Sequence, residues 1–264
     1  MRRALLALAA TGCLLAPATA QDAPPSSDAK GCDPFNEAVF ASPAAVPDAL
    51  LAAPQATDCL MGTLATLSQR NAGAQLSPAD QGALVRASGA LDKLIAGGGM
   101  DAINRMRAVD SVGIVDLLSW GATSADYDTR ANATNLLTNI IDNTTVCVVM
   151  DHLADPTLTT TDDGIKGRAN LLATVSVVAP WATKSNYQNM WALSAFLGKQ
   201  VDAGSAPTTQ KLLQNFGARL AFQNSLPPSK ANKNFESPGL LQSCQDYTPR
   251  WATSGDFVLQ YPRQ

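Results

Sequence analysis

The chain has a single imidazole, His152, flanked by Asp151 and Leu153. A lone histidine cannot build a His-rich metal site, and no two cysteines lie close enough for a zinc spacing. His152 therefore reads as a structural or surface residue on a short helix. No Gly-x-Ser-x-Gly elbow occurs, and the only Ser-x-x-Lys, Ser27 to Lys30, falls in a Pro/Ser-rich stretch where no pocket forms. Asp162-Asp163-Gly164 resembles part of a calcium loop. Thr157 and Thr159 stand where carboxylates belong, so the acids read as a helix start with favourable dipole charge, as do Asp126 and Asp128. Trp181, Tyr187 and Trp191 are of a type that can wall a carbohydrate or peptide groove, although packing between helices is their commoner role. Neither a cofactor motif nor a metal site emerges. The chain reads as a binding protein before an enzyme, the alternative being an envelope enzyme or enzyme subunit whose carboxylates converge only on folding.

The elements that position these residues follow a helical period. A helix is expected from Pro54 to about Arg70, with Leu60, Leu64 and Leu67 on one stripe. Ser77-Pro78-Ala79-Asp80 opens the next, since the Ser caps, the Pro suits the first turn and the Asp faces the positive end. Its stripe is Leu84, Ala87, Leu91, Leu94 and Ile95, and Gly97-Gly98-Gly99 is expected to stop it. A helix pair follows over about 101–120, then helices over about 126–142, 145–154, 165–179, 185–199 and 207–223. The pattern predicts an all-α protein: a Pro-rich N-terminal arm over 21–53, a helical-repeat domain over 54–223 and an irregular C-terminal arm over 224–264, in which only Asp256 to Tyr261 looks extended.

The segment Val112 to Asn143 resembles one armadillo repeat. Gly113-Ile114 and Leu117-Leu118 stand where that family starts a short helix, and Leu137-Thr138-Asn139-Ile140 where its long helix ends; Ala102 to Val109 would be the preceding short helix. A weaker echo, Asn170-Leu171-Leu172-Ala173-Thr174-Val175, comes 35 residues after Asn135. The resemblance covers about 102–143, with the echo over 145–180. It implies an irregular α-solenoid, a non-repeat helical bundle being the other architecture the pattern allows. It also implies a protein or peptide partner held along the long helices. Asn139 takes the position that grips peptide backbone, Asn135 fills the position of a groove-walling Trp, and Thr174 replaces the second Asn. Asn135, Asn139, Trp181 and Trp191 are the candidate partner-binding residues.

Arg2 and Arg3, an apolar run from Ala4 to Leu15, and Ala18-Thr19-Ala20 before Gln21 form a secretory signal peptide over 1–20. Ala10-Thr11-Gly12-Cys13 loosely resembles a lipobox, which would instead anchor the chain by a lipid on Cys13. No later run approaches the roughly 20 apolar residues a span requires. A periplasmic or secreted protein is expected, with no membrane span. Cleavage removes two arginines and no acid, so the formal charge of −3 becomes −5, which gives no basic field for nucleic acid. Cys32, Cys59, Cys147 and Cys244 then remain. Four cysteines allow three pairings; Cys32–Cys59 and Cys147–Cys244 are favoured because each would tie a Pro-rich end to the helical body.

Overall fold

The computed structural model describes residues 31–71, 76–109, 112–159, 161–200, 207–225, 235–237 and 241–261. The expected signal peptide and Cys13 lie outside the described residues. Helices α1 (Asp33–Asn36) and α2 (Asp48–Leu51) flank a π-turn at Glu37–Ala41. The body follows: α3 (Ala56–Arg70), α4 (Pro78–Arg107), α5 (Val112–Ala122), α6 (Tyr127–Ile140), α7 (Val146–His152), α8 (Asp162–Val178), α9 (Lys184–Gln200) and α10 (Pro207–Ser225). The arm adds α11 (Gln242–Asp246) and a two-residue antiparallel pair, β1 (Thr253–Ser254) and β2 (Phe257–Val258). The fold is all-α, and among the described residues that pair is its only sheet.

Local chemistry sets the boundaries. Ser77 Oγ accepts the Asp80 amide at the start of α4, and Asp126 Oδ1 accepts the Thr129 amide at 2.7 Å at the start of α6. At α8 the cap is Thr161, whose Oγ1 accepts the Gly164 amide, so Asp162 and Asp163 lie in the first turn. The triple glycine interrupts the helix where expected, and the runs on its two sides together form α4. Only Gly99 leaves helical geometry (φ 54°, ψ −133°), and the chain resumes a short helical run to Arg107. A residue without Cβ adopts that backbone at little cost, so the helix kinks there.

The helices form two layers. Helices α3, α5, α7 and α9 pack each on the next, as do α4, α6, α8 and α10, and each member of the first set also packs on the helix that follows it. Leucine stripes drive this: Leu84, Leu91, Leu118, Leu136 and Leu137 are fully buried, each stabilising by roughly 1.5–3 kcal/mol against exposure. Gly121 permits the close approach of three elements. A Cβ there would sit 2.7 Å from Ala133 Cβ and 2.8 Å from Leu84 Cδ2.

Both ends are tied down. Cys32–Cys59 joins the N-terminal arm to α3, with Phe35, Val39 and Val46 buried beneath it. Cys147–Cys244 joins the C-terminal arm to α7. Further along, Asn189 on α9 brackets Gln260, accepting its amide and donating to its carbonyl at 2.9 Å each, and Phe257 stacks on Phe196 at 5.7 Å. The C-terminal arm thus lies on α7 and α9. Two disulfides suit an oxidising location, and no helix among the described residues is long and apolar enough to cross a membrane.

Candidate functional site

Helix α6 turns Ala133, Leu136, Leu137 and Ile140 into the core. Its opposite face carries Asp128, Asn132, Asn135 and Asn139, spaced by four, three and four, so these side chains share one stripe. Across from them, α4 presents Gly82, Val85, Gly89, Asp92 and Ala96. A Cβ at Gly89 would come within 3.3 Å of Asn132 Oδ1, so the bare glycine leaves room for the Asn132 carboxamide on the seam.

Two depressions follow one another along this α4–α6 seam. The first, of about 600 Å³, is walled by Pro43, Val46, Pro78, Val85 and Ala90, with Arg86, Lys93, Asp126 and Asp128 at its margins. The second, of about 410 Å³, is lined by Asp92, Ile95, Ala96, Asn135, Thr138 and Asn139. The Asn132 and Asn139 amides each donate to the carbonyl four residues back, at 2.9 and 3.1 Å. That leaves both carboxamides with further donor and acceptor capacity. Asn135 is exposed. Asp92 is the outlier of the seam. Its Oδ1 is sealed from solvent with no hydrogen-bond partner, and burial pushes its carboxyl up to about 6.

The sequence candidates divide. Asn135 and Asn139 lie together on the seam. Trp181, in the 3-10 turn Ala179–Trp181, is half-buried beyond the C-terminal end of α6. Arg107 connects them: it donates to the Asn139, Ile140 and Ile141 carbonyls at 3.0 Å each, and its guanidinium lies 5.8 Å from the Trp181 ring. Trp191 is elsewhere, on α9, edge-on to Tyr187 at 6.3 Å, and Tyr187 in turn meets Phe235.

His152 is buried, and its Nε2 lies 2.8 Å from Asp116 Oδ1. The Arg250 guanidinium holds the other Asp116 oxygen at 2.7 Å. Burial raises the Asp116 carboxyl, but the His152 and Arg250 hydrogen bonds and charges outweigh it and hold the group below the usual range. One residue from His152, the fully buried Asp151 accepts the amides of Arg250, Trp251 and Ala252 and the Tyr247 hydroxyl. Burial first, then the Asp151 charge, pushes the Tyr247 phenol well above its ordinary value. The His152 ring packs between Trp120 and Trp251, at centroid distances of 5.3 and 4.9 Å. This network fastens the C-terminal arm; each carboxylate oxygen is spent on a bond to it or to His152. Sequence reasoning missed Asp116 and Asp151, although an acid inside Ile114-Val115-Asp116-Leu117-Leu118 or Val148-Val149-Met150-Asp151 is a signal of a buried, paired carboxylate.

Three acids do gather around a third depression of about 480 Å³ beside Trp120: Asp126, Asp155 and Asp163. Each is engaged locally. Asp126 caps α6, with Thr129 hydrogen bonding holding its carboxyl low; Asp155 accepts the Thr157 amide and hydroxyl at 2.8 Å each; Asp163 lies 3.3 Å from Lys166. They are turn and cap residues and not an acid–base pair. Comparison with family models, curated proteins and solved structures finds no match to this chain.

Proposed function

We propose that the protein is an exported binding or scaffolding module that takes an extended segment of a protein partner along the α4–α6 seam. The observation that carries this reading is the stripe Asn132, Asn135 and Asn139, Asn132 across from Gly82 and Gly89 and the other two across from Asp92 and Ala96, while the C-terminal arm is fastened to the other layer of helices, on α7 and α9. Carboxamides both donate and accept, which suits the alternating N–H and C=O groups of extended backbone. The two-layer neighbour pattern supports a helical-repeat stack, in which long helices line one surface. The short run after Gly99, then α5 and α6, matches the three-part order of an armadillo-like repeat. Disulfides on both arms support an oxidising compartment, the periplasm or the cell exterior.

A photo-reactive amino acid at position 135 tests the reading in the producing cell. It should give a discrete adduct that Asn139→Ala removes, whereas the same group at the exposed Gln188 on α9 should not. Equal adducts from both positions, or none from 135, would overturn it. N-terminal sequencing of the mature chain should begin at Gln21.

A further inference from the structure

The seam holds two unlike depressions in a fixed order, and their difference specifies a ligand. We infer that the partner segment is a bipartite motif, a bulky apolar side chain in the first depression and a lysine or arginine at Asp92 in the second, about three or four residues apart. This rests on the seam being the binding surface.

The apolar end follows from shape and lining. Pro43, Val46, Pro78, Val85 and Ala90 enclose about 600 Å³ where α4 offers Gly82 and Gly89 in place of side chains. The volume admits an aromatic or long aliphatic group. Its margin charges balance, with Arg86 and Lys93 against Asp126 and Asp128. Arg86 is turned to the Val39 carbonyl and Lys93 to Asp48, each at 2.8 Å.

The cationic end follows from Asp92. Among the described residues it has no hydrogen bond and no ion pair, and its neighbours on the second depression, Asn135, Thr138 and Asn139, are neutral. Its Oδ1 is sealed from solvent without a donor, which is uncommon in a folded protein, while the rest of the half-buried side chain lines the depression and is open to a ligand from there. An ammonium or guanidinium arriving with the partner supplies the missing counter-charge, in a place where the N-terminal arm supplies none.

The spacing follows from the helix. From position 86, the midpoint of the α4 residues lining the first depression, it is about 9 Å to Asp92 and about 12 Å to position 94, the midpoint of those lining the second, at roughly 1.5 Å per residue. An extended chain rises roughly 3.3 Å per residue, so the two anchors fall about three or four positions apart.

Selection of a random dodecapeptide display library on the disulfide-bonded protein tests this. Enriched peptides should carry an apolar and a basic residue three or four apart. Selection on Asp92→Asn should lose the basic preference at least tenfold in frequency and keep the apolar one; selection on Gly89→Leu, which fills the first depression, should do the reverse. Far-ultraviolet circular dichroism and a thiol count confirm that each variant is folded. Peptides that lack the basic residue, or keep it on Asp92→Asn, would overturn the motif; if they are still lost on Asn135→Ala/Asn139→Ala, the seam itself stands. Peptides indifferent to that double variant, or no enriched peptides, would overturn both.

Discussion

Tyr247 donates its phenolic hydrogen to Asp151 at 2.8 Å across 96 positions of sequence, and the same carboxylate takes three backbone amides from residues 250–252. One side chain on a seven-residue helix thereby organises the start of the final segment. Asp151→Ala strands three amides and a hydroxyl at a buried position. Its expected cost is about 3–5 kcal/mol, the range for removing one partner of a buried charge network. Urea unfolding of the oxidised protein measures it, and amide exchange over 247–252 should accelerate well beyond the change in global stability.

The two disulfides should differ in weight. Cys147–Cys244 closes a 97-residue separation and Cys32–Cys59 one of 27. In the chain-entropy description these correspond to about 4.7 and about 3.6 kcal/mol. Removing the pair Cys147/Cys244 as alanines should therefore lower the urea midpoint more than removing Cys32/Cys59. A larger loss from the shorter loop would show that the N-terminal arm contributes packing beyond its crosslink.

Asp92 makes stability depend on pH in the less usual direction. Burial raises its carboxyl from the ordinary 3.8 to about 6 in the folded protein, so the folded state binds the proton more tightly than the unfolded chain. Its unfavourable contribution is absent below about pH 4, grows between there and pH 6, and is complete above. Asp92→Asn should stabilise the protein at pH 7.5 by roughly 1 kcal/mol, a figure discounted for the solvent that still reaches the group, and leave it unchanged at pH 3.5. Asp116 runs the opposite way: its carboxyl is held low, so its contribution is present above the unfolded value near pH 4 and lost as the pH falls through the folded one. Thermal melts of the parent and Asp92→Asn across pH 3.5–8 should coincide at the acid end and separate above about pH 6.

Two glycines separate packing from function. Gly121→Ala forces a methyl to within 3 Å of Ala133 and Leu84, and should destabilise by about 2–3 kcal/mol through overpacking. Gly89→Ala meets only the end of the Asn132 side chain, at 3.3 Å. The helix gains up to about 1 kcal/mol from losing an internal glycine, so stability should hold or rise while the seam narrows and partner binding weakens. Denaturation and peptide binding measured on the same samples distinguish the two.

The leucine and isoleucine stripes made the helices readable, and Ser77 and Asp126 announced the helix starts where the side-chain caps are found. Local signals of this kind need only neighbours within a few residues. Gly97-Gly98-Gly99 was readable as an interruption and 101–109 as a helix beyond it; the kink at Gly99 alone was not, because its angle depends on how residues 102–107 pack, with Ala102, Ile103 and Met106 buried. Asn135 and Asn139 were legible through the repeat-like pattern. Their neighbour Asp92 was not, since nothing in its own surroundings says that α4 and α6 lie side by side. Asp116 and Asp151 were harder still: besides His152, 36 positions from Asp116, their partners include a guanidinium and backbone amides about 100 or more positions away, and backbone amides leave no trace in sequence.

The C-terminal arm touches α5 through Asp116, α7 through Asp151 and Cys147, and α9 through Asn189. A strap bonded to three helices of one layer stiffens that layer alone. Bending then concentrates in the opposite layer, where α4 and α6 meet, while the strapped side keeps its length.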